Sequence, residues 1–277
     1  MTGEFLDRVY WAGHIARHAP VLAFNAVPLM LARRTYSPPS ERKIVVATHH
    51  KVLTVFLSRV FRSFAALTSR SFDLGPGGKL DYSCNVLIDH KSAIDWTRIP
   101  EQTFGLHVVR DPRDVLISSA FYHVRSTEPW LHKPMEAFEG RTYQETIKAL
   151  PDAEERILFE IRNSTGRNIR SMLAWEYGRP LMEELRYDEL IGDGSAERFG
   201  RAIATWPLTD REKDLLVGLF SYFSLAGPGM SSRHVRNPSS GQWQQYFTPR
   251  VEQAFREAFP DAVERLGFSW PQEGRAP

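Results

Sequence analysis

Residues 44–66 read Ile44-Val45-Val46-Ala47-Thr48-His49-His50-Lys51-Val52-Leu53-Thr54-Val55-Phe56-Leu57-Ser58-Arg59-Val60-Phe61-Arg62-Ser63-Phe64-Ala65-Ala66. The first four form a β-branched run with charge before it and the polar cluster Thr48 to Lys51 after it, as expected of a strand buried in a parallel sheet. From Val52 to Ala66 the period changes. Leu53, Phe56, Leu57, Val60, Phe61 and Phe64 recur at i, i+3 and i+4, which gives a helix one apolar face to lay on that sheet. Strand, short loop and helix make the opening unit of an α/β fold.

Upstream, Tyr36-Ser37-Pro38-Pro39-Ser40 is linker chemistry, because paired prolines lack the donors that a helix or ladder needs. Residues 1–40 are therefore expected to be an N-terminal helical extension packed on a single domain of residues 41–277. Downstream, Gly75 to Gly78 marks a loop, and strands are expected at 85–88 and 104–109. Asp111-Pro112-Arg113-Asp114 opens a helix running to about Tyr122, with acids and proline in the first turn where they complement the unpaired amides. Residues 126–152 read as a long excursion or lid. Helices are expected near 154–163 and 169–178, a strand near 184–187, and helices near 195–206 and 210–223. Strands alternating with helices predict a central, mainly parallel sheet flanked by helices. Ligands of such sheets bind beyond the carboxyl ends of the strands, where Thr48 to Lys51, Asp89 to Lys91 and Arg110 to Asp114 fall.

Composition narrows the function. With 42% hydrophobic and 25% charged residues the 277-residue chain has the balance of a folded globular protein. Thirty-five Lys and Arg against 33 Asp and Glu leave a net charge of +2, too little for the basic stripe of a nucleic-acid binder, so an anion site must be local. The single cysteine, Cys84, forms no internal disulfide, which fits a reducing, cytoplasmic compartment, and no Cys/His cluster has metal-ligand spacing. The apolar stretch Pro20 to Ala32 is 13 residues long and holds two prolines, against about 20 for a membrane span. Ordinary packing of an N-terminal helix is expected there, with membrane association of this segment the less favoured reading.

Lys51 follows the first strand and stands at a helix start, so an ammonium and several unpaired amides face one point, an anion cradle. The Walker pattern GxxxxGK[ST] is absent, since no glycine occurs between Ile44 and Ala65. In Arg110-Asp111-Pro112-Arg113-Asp114-Val115-Leu116-Ile117-Ser118, Arg110 offers a bidentate fork and Ser118 a hydroxyl to a phosphate.

This run closely resembles the 3′-phosphate-binding signature of sulfotransferases that use 3′-phosphoadenosine 5′-phosphosulfate (PAPS). Residues 48–54, THHKVLT, are similar to that family's 5′-phosphosulfate loop, PKSGTT. Ile88-Asp89-His90-Lys91-Ser92 resembles the strand end that carries the catalytic histidine of cytosolic members. Arg186-Tyr187-Asp188-Glu189-Leu190 is similar to the strand end whose tyrosine lies near adenine. Arg236-Asn237-Pro238-Ser239-Ser240-Gly241-Gln242-Trp243 resembles the RKGxxGxW loop that closes on the 3′-phosphate. The resemblance runs from about residue 43 to the C-terminus. It implies a P-loop-NTPase-like sulfotransferase fold and transfer of a sulfuryl group from PAPS to a hydroxyl acceptor, a carbohydrate, lipid or small molecule, with PAP (3′-phosphoadenosine 5′-phosphate) as product and no metal.

Under that resemblance His90 is the base, with Asp89 and Asp95 as carboxylate alternatives, and Lys51 stabilises the leaving oxygen. His50, Lys51, Val52, Leu53 and Thr54 cradle the 5′ side. Arg110, Ser118, Arg236 and Asn237 hold the 3′-phosphate, and Tyr187 lies at the base. Two departures stand out. Leu53 occupies the family's glycine position, and Asn237-Pro238 replaces Lys-Gly. Leucine resists positive φ, so the loop is expected to keep an ordinary negative φ at Leu53. Positive φ there would imply strain and favour the alternative, a sulfotransferase-like protein that binds nucleotide without turnover. A P-loop-like kinase is the third reading, disfavoured by the missing glycines.

Overall fold

The computed structural model describes residues 42–75, 79–225, 227–228 and 237–271. The N-terminal extension expected at 1–40, the apolar stretch 20–32 and Arg236 lie outside the described residues. Within the described part the chain divides into two compact units. One comprises the described residues up to Val109 with Trp175–Pro238, and the other Arg110–Ala174 with the described residues from Ser239 onward.

The first unit is built on a five-stranded sheet of β1 (Ile44–Ala47), β2 (Phe72–Gly75), β3 (Val86–Asp89), β4 (Phe104–Val109) and β5 (Met182–Arg186). The spatial order is β2-β3-β1-β4-β5 and every pairing is parallel, so the chain forms the α/β architecture that its alternating pattern predicts. β1 is central because Ile44 to Ala47 carries no charge and is wholly buried. β2 was not anticipated. Its Phe-Asp-Leu-Gly sequence is only partly buried at the sheet edge and lacks the β-branched residues that mark a strand.

Helix α1 (Thr54–Leu67) buries Leu57, Val60, Phe61 and Phe64, the face that its spacing predicts, although the helix starts at Thr54 rather than Val52. In the same unit α6 (Ser195–Ala202) ends earlier than its expected span, and α7 (Asp210–Phe223) matches it. Phe56 meets Phe220 edge-on and Phe199 stacks on Phe220, joining α1, α6 and α7 into one aromatic layer. Val45, Ala47 and Leu87 belong to another layer, with Tyr82, Ile99, Trp175 and Met182.

The second unit is helical: α2 (Pro112–His123), α3 (Tyr143–Lys148), α4 (Ala153–Arg162), α5 (Ser164–Leu173), α8 (Pro249–Ala258) and α9 (Ala262–Arg265). Leu116, Ile117, Ile157, Ile161, Ile169, Val251, Phe255 and Val263 make its core. α5 begins five residues before the expected 169. Its first turn is held by the Thr165 amide and hydroxyl, which donate to buried Glu160 at 3.2 and 2.6 Å, so a tertiary contact overrides a turn-like Ser-Thr-Gly start. The stretch 126–152 is not featureless: it holds two 3₁₀ turns, a bridge between Pro134 and Thr142, and α3 with a Thr142/Glu145 capping box.

Candidate functional site

In the first unit, the carboxyl end of β1 leads into the turn Thr48–Leu53. The Thr48 amide donates to Asp89 O at 2.8 Å, tying the start of the turn to the end of β3. The Val52 amide donates to His49 O at 2.9 Å and closes the turn. Thr54 Oγ1 donates to the same carbonyl at 3.1 Å, which leaves it to accept from Thr48 Oγ1 at 2.9 Å. Ser92 Oγ donates to Thr48 O at 2.9 Å. Val52 therefore contributes a buried side chain and a committed amide, and the Thr54 hydroxyl braces the turn from within. His50, Lys51 and Leu53 are half-buried.

The expectation of negative φ at Leu53 is overturned. Leu53 has φ 58° and ψ 14°, in the left-handed region, and Lys51 has φ 66°. The chain turns from β1 into α1 while the His49 carbonyl collects two hydrogen bonds, and these bonds set the backbone where leucine's own preference would not. Each such residue costs about 1–2 kcal/mol, and strain of this kind persists where surrounding contacts over-determine the conformation. The first amides of α1 have no intrahelical acceptor, and its first turn holds no acidic residue, so this helix end with Lys51 beside it suits an anion.

His90, directly after β3, is half-buried and near enough to His49 that a charge on it would lower the pKa of that ring. The two carboxylates weighed against it hold turns together. Asp89 is fully buried and accepts the Lys91 and Ala93 amides at 3.1 and 2.8 Å. Asp95 accepts from the Thr97 amide and hydroxyl at 3.2 and 2.6 Å, capping a 3₁₀ turn. Tyr187, just beyond β5, is buried and donates its hydroxyl to Pro238 O at 2.9 Å, beside exposed Asn237.

In the second unit, Arg110 is 4% exposed, and its Nη2 donates to Ser239 O at 3.4 Å across 129 residues of sequence. Asp114 secures the same returning segment: its carboxylate accepts the Gly241 amide at 2.7 Å and the Trp243 amide at 3.0 Å. Burial raises the Asp114 pKa, opposed by the Arg110 charge and by those two amides. Arg113 completes the arrangement. It pairs bidentately with Asp111 at 2.9 and 2.7 Å, donates to Ser269 O at 2.9 Å, and has its guanidinium 3.7 Å from the centre of the Trp243 ring. Ser118 lies half-buried on α2.

Arg110 and residues 239–243, two of the segments read as phosphate-binding, are thus brought together, as are the Tyr187 and Asn237 segments. The sequence reading did not single out Asp114 or Arg113 as the groups that hold the 239–243 loop. Their charge at the start of an otherwise apolar helix was the available signal.

No protein-family model matches the chain, and no curated protein does. Solved structures similar to it include mouse sulfotransferase SULT7A1 complexed with PAP, at 16% identity over 85% of this chain and 88% of that chain, with a TM-score of 0.49. Retinol dehydratase in a complex with retinol and PAP is similar at 14% identity over 91% of this chain and 88% of that one, with a TM-score of 0.48. The same enzyme with androsterone and inactive cofactor PAP gives 14% identity, 88% of each chain and a TM-score of 0.47.

Proposed function

We propose that the chain is a sulfotransferase that moves the sulfuryl group of PAPS to a hydroxyl acceptor by in-line displacement. The observation that carries this reading is the convergence of Arg110 with Ser239–Trp243, since both stretches resemble 3′-phosphate-binding elements and they lie 129 residues apart. Arg110 would grip that phosphate with its fork, joined by the Ser118 hydroxyl and by Arg236 and Asn237. That fork reads a phosphate geometry, which would favour the donor over nucleotides lacking the 3′-phosphate.

Lys51, with the unpaired amides at the start of α1, the backbone of Leu53 and Thr54, and His50, would hold the 5′ side. Val52 supports it from the core. The reaction forms a bond from the acceptor oxygen to sulfur and breaks the bond from sulfur to the bridging oxygen, so charge develops on the departing PAP. Lys51 suits stabilisation of that charge, and a neutral His90 suits removal of the acceptor proton. Tyr187 would lie against adenine.

A second reading, binding without turnover, is favoured by left-handed Leu53 in the loop that would hold the phosphosulfate. One experiment separates the two. PAP should raise the melting temperature without magnesium, and the same sample should transfer labelled sulfate from PAPS to at least one acceptor class. Stabilisation without transfer supports the second reading. Stabilisation by ATP and magnesium but not by PAP defeats both.

A further inference from the structure

His107 is an imidazole inside an otherwise apolar strand, and it is fully buried. A polar ring survives there when its partners are complete. Its Nδ1 lies 2.6 Å from Glu184 Oε2 and its Nε2 lies 2.8 Å from His49 Nε2. One face stacks on the Trp175 indole at 4.3 Å, and the Trp175 indole N–H donates to the other carboxylate oxygen, Glu184 Oε1, at 2.9 Å.

These contacts leave two directions for the chain, and the number of protons on His107 decides between them. An indole N–H only donates and a carboxylate only accepts. With one proton on each ring, His107 Nδ1–H donates to Glu184, bare His107 Nε2 accepts Nε2–H of His49, and His49 Nδ1 is left as an acceptor; a second proton on His107 would reverse the chain. Burial holds His49 neutral, its pKa well below the ordinary imidazole value. The chain runs from β5 through β4 to the end of β1, strands whose register sets His107 beside both Glu184 and Ala47.

We propose that His107 carries one ring proton, and that Glu184 and His107 are positioning residues that hold His49 in its Nε2-protonated tautomer and, through that ring, orient the turn carrying Lys51. The link is His49 itself: its ring ends the chain, and its carbonyl accepts the Val52 amide and the Thr54 hydroxyl. The functional consequence rests on the reading of that turn as an anion site, whereas the tautomer does not.

The test uses the whole protein and two readouts. In the wild type, ¹⁵N shifts of His49 should report a protonated Nε2 and a bare Nδ1. A protonated Nδ1 overturns the proposal whether or not any ligand binds. Glu184→Gln then leaves one amide oxygen for two donors. The Trp175 indole claims it, the amide NH₂ faces His107 Nδ1, and the chain reverses, moving the His49 proton to Nδ1. In a Trp175→Phe background the oxygen is released to His107, and the same change leaves the tautomer as in the wild type.

PAP binding should accordingly weaken about tenfold on Glu184→Gln in the wild-type background and less than about threefold in the Trp175→Phe background. Equal losses in both backgrounds, or an unchanged His49 tautomer in Glu184→Gln, overturn the positioning role. If PAP binds none of these proteins, the anion-site reading fails and the tautomer pattern alone decides the chain.

Discussion

Replacing Leu53 by glycine and by alanine separates the backbone strain at this turn from the burial of its side chain. Both variants lose the half-buried leucine atoms beyond Cβ. They differ in the backbone: alanine keeps a Cβ at φ 58°, a conformation costing an L-residue about 1–2 kcal/mol, whereas glycine takes it freely. Were this position ordinary helix, alanine would be the more stable by about 1 kcal/mol. The sign of the difference is therefore diagnostic. Leu53→Gly should exceed Leu53→Ala by about 1 kcal/mol in urea unfolding at unchanged m-value, or by about 2–4 °C in Tm. Alanine equal to or better than glycine would refute the left-handed assignment. PAP affinity of the glycine variant should stay within about threefold of wild type, because either residue gives the same left-handed turn. Tightening by about tenfold would show that leucine distorts the cradle, and would favour binding without turnover.

Three further outcomes follow from the second unit and from the end of β3. Arg110→Ala should weaken PAP binding by about 10- to 100-fold, the range for a lost charge-assisted contact, and hardly affect an analogue without the 3′-phosphate; titration calorimetry with both ligands checks this, and equal losses would make Arg110 structural. His90→Ala should leave PAP binding nearly unchanged and lower turnover by about 10²- to 10⁴-fold, and a surviving rate that collapses in Asp89→Asn or Asp95→Asn would move the base to a carboxylate. Asp114 has a raised folded-state pKa, so its protonated form favours the folded state. The stability it adds is full below its ordinary value of 3.8 and is lost as pH rises through the higher folded value. Urea unfolding between acid and neutral pH should show that falling component in the wild type and not in Asp114→Asn.

The elements that were legible share a cause. β4 is six consecutive buried residues, and α7 carries its Thr209/Glu212 capping box and apolar face within the segment itself. Their signals are local, so the residues alone announce them. The same holds for Arg110 and Lys51, whose positions after strands β4 and β1 follow from short-range pattern.

Other features depend on partners far away in the chain. β2 exists because its backbone pairs with β3, not because Phe-Asp-Leu-Gly favours a strand. α5 gains its first turn from Glu160. Leu53 is left-handed because the turn around the His49 carbonyl outweighs the preference of a leucine. Asp114 reads as an ordinary first-turn acid until the amides of Gly241 and Trp243, 127 and 129 residues on, arrive at its carboxylate.

By itself, then, the sequence determined the alternating α/β pattern, the burial of β1 in a parallel sheet and the identity of the cations that follow its strands, since periodicity and residue chemistry are local properties. Only the tertiary structure decided which amides Asp114 receives, that Glu184, His107 and His49 form one chain, and which backbone region Leu53 occupies. Hydrogen bonds and burial between distant residues are comparable in size to, or larger than, the roughly 1–2 kcal/mol of local preference that they overrule.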